Sequence, residues 1–175
     1  AKRIKKFIED QELHPVAILL THGHFDHVMA VDSVRAAYHI PVYAAEAEKE
    51  TMQDASINLS INMGGAMLSI EADHWLKDGE TITLLDQEVR CILTPGHTVG
   101  GMCFYFPKAG MLFSGDTLFQ ESVGRTDFPG GSMSEIVRSI REKLFVLPDA
   151  VQVYPGHGLM TSIKNEKMFN PFAVE

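Results

Sequence analysis

The sequence is poor in cysteine and in positive charge and has no long apolar run, and each scarcity closes off a class of protein. Its two cysteines, Cys91 and Cys103, lie in separate apolar segments with no CxxC pair. That excludes a disulfide framework and leads us to expect buried, inert thiols in a reducing, cytoplasmic setting. No apolar stretch approaches the ~20 residues of a membrane span, and no signal peptide is visible. Lys and Arg number 15 against 23 Asp and Glu, for a net charge of −8. Affinity for a phosphate backbone comes from clustered cations, so a nucleic-acid partner is not expected. A small anionic substrate, which needs only one or two local cations, stays open.

The 175 residues, 45% of them hydrophobic, are enough for one core, and a single domain over 1–175 is expected. "AKRIKKFIEDQELHP" places Ile4, Phe7 and Ile8 on one helical face that stops at Pro15. "VAILL" and "IPVYAA" read as strands covered on both faces, with a helix through Val31, Val34 and Tyr38 between them. From "DGETITLLDQEVRCILTPG" onward the pattern is strands and tight turns. One helix, "SMSEIVRSIREKLFVL", is capped by Ser132 or Ser134, and a short closing helix covers "SIKNEKMFNP". This order is an α/β signature.

The eight histidines are unevenly placed. His22, His24 and His27 follow "VAILL" in "THGHFDH"; His97 follows "VRCILTPG"; His157 follows "VQVYPG". Loops at the carboxyl ends of strands are where open α/β sheets gather their ligands, so these five can converge. Asp26 and Asp116, the latter behind "MLFSG", belong with them. A His-rich set with two carboxylates and no cysteine suits zinc, manganese or iron. Seven donors exceed one tetrahedral shell and suggest two ions about 3.5–4 Å apart. Glycines beside the ligands (Gly23, Gly96, Gly115, Gly156) allow close backbone approach. His14 and His39 are read as structural residues at helix ends, His74 as a loop residue and Phe25 as packing.

These motifs resemble the metallo-β-lactamase superfamily, and within it the glyoxalase II-like hydrolases. "THGHFDH" is similar to its HxHxDH signature, and "TPGHT", "FSGDTLF" and "YPGHG" to its later motifs. The resemblance implies a four-layer αββα sandwich, here without its first N-terminal strands and without the C-terminal helical domain that contacts glutathione. It also implies that His22, His24 and His97 hold one divalent ion, that Asp26, His27 and His157 hold the other, and that Asp116 bridges them. Zinc is the first choice, iron or manganese the alternatives. The implied activity is hydrolysis of small acyl thioesters such as S-lactoylglutathione by attack of a metal-bridging hydroxide, with Asp26 and Asp116 as catalytic carboxylates. Gly101 departs from the pattern, standing where two-domain glyoxalase II often has histidine.

Arg125, in "SVGRTDFPGG", is a candidate contact for a substrate carboxylate, or else a loop arginine paired with Asp127. The Met and Leu of "NLSINMGGAML" are read as packing rather than a lid. A competing reading, suggested by "GRTDF", is a mononuclear iron persulfide dioxygenase. The complete second ligand set argues against it. β-Lactam hydrolysis is disfavoured because an amine leaving group needs a proton donor.

Overall fold

In the computed structural model, which describes residues 1–173, the chain forms two stacked sheets with helices outside them. In chain order the elements are α1 (Lys2–Asp10), β1 (Ile18–Leu19), α2 (Phe25–Val28), α3 (Val31–Tyr38), β2 (Val42–Ala45), α4 (Lys49–Gln53) and β3 (His74–Leu76). There follow β4 (Thr81–Leu84), β5 (Gln87–Leu93), β6 (Met102–Phe106), β7 (Met111–Gly115), β8 (Leu118–Phe119) and β9 (Ser122–Val123). The chain then runs through α5 (Met133–Ser139), β10 (Gln152–Pro155), β11 (Thr161–Ser162) and α6 (Ile163–Phe169). A parallel three-stranded sheet has the order β1-β2-β3, and a six-stranded sheet has the order β11-β10-β7-β6-β5-β4.

Side-chain alternation along the strands builds the layers. In β2, Val42 and Ala44 face Val28, Val31 and Met52 of the first helices, whereas Ala45 faces Val89, Cys91, Met102 and Phe104 of the large sheet. In β6, Met102 and Phe104 point to that inter-sheet core, and Cys103 and Tyr105 point to Ile136, Ile140 and Ile163 of the later helices. Helix, sheet, sheet, helix is the four-layer arrangement expected.

Several local expectations need correction. "VAILL" shrinks to the two-residue β1, half-buried rather than covered on both faces, because it forms an edge of the small sheet. His74 is not in a loop; it opens β3 and stacks on Tyr43 with ring centroids 4.4 Å apart. The long helix splits into α5 and a π-helical turn over Ile140–Leu144, with Ser132 as the N-cap accepting from the Glu135 amide. The β4–β5 hairpin turns on Leu85 and Asp86, both at positive φ (53° and 57°), so its two-residue turn carries no glycine to announce it. Both cysteines are buried and free, and burial pushes each thiol up to about 11. Among the described residues no helix is long and apolar enough to cross a membrane.

Candidate metal centre

The site lies where strand ends of both sheets meet. β1 leads into Thr21 and His22, β5 into the turn carrying His97, β7 into Asp116, and β10 into Gly156 and His157. The amide of Met102 bonds the Thr21 carbonyl at 2.8 Å, and that of Gly156 bonds the Gly115 carbonyl at 2.8 Å, which fixes the loops against one another. His24 is the N-cap of α2, and Asp26 and His27 lie within that single turn. Residues adjacent in "THGHFDH" therefore face different ways.

All seven sequence-derived donors come together. His24 Nδ1 lies 2.9 Å from His97 Nε2, and His27 Nε2 lies 3.3 Å from His157 Nε2. Asp26 Oδ2 is 3.2 Å from His157 Nε2. Asp116 reaches three rings: His27 at 3.3 Å, His157 at 3.6 Å and His97 at 3.7 Å. Three sets of ring nitrogens and carboxylate oxygens, each within 4.8 Å, could hold an ion: His22, His24 and His97; His22, His27 and Asp116; and Asp26, His27 and His157.

Whether these residues fit a cation can be judged from their unmet bonding. His22 Nε2, His24 Nε2 and Asp116 Oδ1 are buried with no hydrogen-bond partner, and orphaned buried polar atoms are costly unless something binds them. The other ring nitrogen of His97, Nδ1, lies 2.7 Å from the Arg125 carbonyl. A carbonyl only accepts, so Nδ1 carries the proton and Nε2 turns a lone pair into the cluster. Unsatisfied inward lone pairs beside two carboxylates suit a divalent cation. A model of the metallo-beta-lactamase superfamily matches residues 1–157.

The chain belongs to the metallo-beta-lactamase superfamily. It is 40% identical over 171 residues to a probable metallo-hydrolase of Bacillus subtilis, covering 97% of this chain and 81% of that one. It is 35% identical over 176 residues to the hydroxyacylglutathione hydrolase GloC of Haemophilus influenzae, covering 98% and 82%. Among solved structures it resembles the B3 metallo-beta-lactamase BLEG-1, with a TM-score of 0.93, 39% identity and 99% and 84% of the two chains covered. It also resembles TTHA1623 in a di-iron-bound form, with a TM-score of 0.85, 34% identity and 98% and 84% covered. A metal-dependent hydrolase is the activity this membership supports.

Burial in this metallo-beta-lactamase frame favours the neutral form of three of the histidines. Burial, and then the neighbouring His27, His97 and His24, hold His22 well below the usual imidazole range. Burial and His97 lower His24 to about 4, and burial lowers His27. His24 titrates near 6.5 when unfolded, so between pH 6.5 and 4 the unfolded chain binds more protons than the folded one. Stability of metal-free protein therefore falls as pH drops through that window. Urea unfolding at pH 7.5 and pH 5 is expected to show a loss of roughly 2 kcal/mol from His24 alone; equal or higher stability at pH 5 would contradict the burial argument.

A cavity of about 280 Å³ opens over the cluster, and its wall beyond the candidate ligands is Phe25, Leu59, Met63, Phe119, Arg125 and Phe128. Phe25, read as packing, thus lines the site, and so do Leu59 and Met63 of the segment read as packing. Leu59 is in the left-handed region (φ 66°) at the start of the turn that carries Met63. Arg125 makes two hydrogen bonds to Asp127, at 2.9 and 2.7 Å, and its guanidinium lies 4.3 Å from the Phe128 ring centre. It lines the cavity while paired within its own loop. At Gly101, a Cβ would stand 3.0 Å from the Thr94 carbonyl oxygen, a tight contact that a side chain there could relieve only by a small shift of that carbonyl.

Sequence reasoning missed Phe119, Phe128 and two buried glutamates. Glu166, fully buried in α6, accepts from Thr161, Asn165, Asn170 and the Glu121 amide, tying the closing helix to the turn that presents Phe119. Glu48, 1% exposed, closes the short helical turn before α4. No motif flags either one, since a lone Glu in a polar helical stretch reads as solvated.

Proposed function

We propose that this chain hydrolyses small acyl thioesters of the S-lactoylglutathione kind, using two divalent ions, zinc first. One would be held by His22, His24 and His97, the other by Asp26, His27 and His157, with Asp116 between them. When bound, the ions would supply an activated water nucleophile and polarise the substrate carbonyl. The chain's own contribution is to hold neutral imidazoles inward and to keep the reacting centre among apolar walls. The Asp26 side chain is 38% exposed, the more open of the two carboxylates, and its Oδ2 faces His157 Nε2 at 3.2 Å within the second ligand set. Arg125 would exchange Asp127 for a substrate carboxylate.

The observation that carries this reading is the cavity wall. Beyond the candidate ligands it offers five apolar side chains and one arginine, and among the described residues no further acid that could protonate a leaving group. A thiolate, with a pKa near 8.5, leaves without one; an amine does not. Similarity to the hydroxyacylglutathione hydrolase supports the same substrate class. A second reading, β-lactam hydrolysis, is favoured by the likeness to BLEG-1.

A panel of substrates decides between them. Zinc-loaded protein is expected to turn over acyl thioesters with kcat/KM about 10²-fold or more above that for a β-lactam, the scale of the missing general acid. Faster β-lactam turnover would establish the second reading. No thioester turnover, together with oxygen consumption by iron-loaded protein on glutathione persulfide, would establish the dioxygenase instead.

A further inference from the structure

Glu48 ends a single 3-10 turn, Glu46–Glu48, and is 1% exposed. Among the described residues no cation pairs with it. Its carboxylate spans the two loops that carry the three-histidine set. Oε1 accepts from the amide of Gly23, between His22 and His24, at 2.9 Å. Oε2 accepts from the amide of Gly100 at 2.8 Å and from the hydroxyl of Thr98, next to His97, at 3.0 Å. Burial raises its pKa, while these donors and Thr51 oppose that shift. Gly100 packs so closely that a Cβ there would run into the Glu48 amide nitrogen and lie 2.6 Å from Oε2.

We propose that Glu48 is a positioning residue that clamps the Gly23 and Thr98–Gly100 loops together and thereby sets the metal affinity of His22, His24 and His97 without touching the ion. This rests on the reading of those histidines as ligands. The geometry requires a carboxylate. Two acceptor oxygens with no donor meet N–H and O–H groups on both sides, whereas glutamine would turn an NH2 toward donors on one of them. Aspartate, a methylene shorter, cannot span both loops. A buried charge without a cation is costly to keep unless its hydrogen bonds do specific work. Here they set the distance between His24 and His97, whose facing nitrogens are 2.9 Å apart.

The test is competition between apo protein and a chelating dye for zinc, with the visible spectrum of the cobalt-loaded form as a second readout. Glu48→Gln is expected to fold cooperatively, to weaken one of two binding steps by about 10–100-fold as supporting hydrogen bonds do elsewhere, and to shift the cobalt bands. Folded Glu48→Gln with both steps and the spectrum unchanged overturns the inference. Should that variant not fold, Thr98→Val, which removes one donor at nearly constant volume, is expected to weaken the same step, with Thr98→Ser restoring it; no change in Thr98→Val overturns the inference equally. Wild-type protein that binds no ion at these histidines overturns the ligand assignment itself, and the inference with it.

Discussion

Asp116→Asn is expected to lower kcat of the zinc-loaded protein by about 10³-fold or more, the scale of several kcal/mol of charge stabilisation, while the fold is retained. Asp116 follows β7, and its two oxygens approach His27, His157 and His97 at 3.3, 3.6 and 3.7 Å. Within 4.0 Å, Asp26 meets His27 and His157, whereas Asp116 also meets His97 and so reaches both halves of the cluster. Asparagine preserves its outline and removes its negative charge. The neighbourhood leaves no room for relief: a Cβ on Gly156 would overlap Asp116 Oδ1 and stand 2.7 Å from His27 Cε1. Steady-state kinetics alongside circular dichroism checks this; a folded Asp116→Asn within tenfold of wild type would show that the two halves do not depend on a shared carboxylate.

How much of this was legible in the sequence follows from where each signal lives. The seven donors were readable because they sit in Gly- and Pro-marked turns behind apolar runs, and the strand ends do gather them. Layering was readable from alternation, as Val42 and Ala44 against Ala45 show. What was not readable depends on pairings distant in sequence. His74 became a strand residue because β3 finds a partner in β2, which a loop-like "EADHW" does not advertise. Glu48 is buried only because loops 25 and 52 residues away close over it. The cavity-lining role of Phe25, Leu59 and Met63 is a matter of backbone direction, which hydrophobicity alone leaves open.

Removing the metal is expected to have the other large effect. Protein stripped with a chelator should lose all measurable thioester turnover and regain it on adding zinc, because beyond the candidate ligands the described cavity wall is five apolar side chains and one arginine, none of them a base. Stripping should also lower stability, since ions that bind only the folded chain add about 4 kcal/mol when present at a thousand times their dissociation constant. The metal-free cluster keeps its orphaned atoms at His22 Nε2, His24 Nε2 and Asp116 Oδ1, so the loss should appear as a lower thermal midpoint without a change of fold. The most direct measurement is the zinc titration of that stripped protein, followed by calorimetry and by recovered turnover. Saturation at two ions per chain, with full activity only after the second, is the predicted result; saturation and full activity at one ion would contradict the two-ion site.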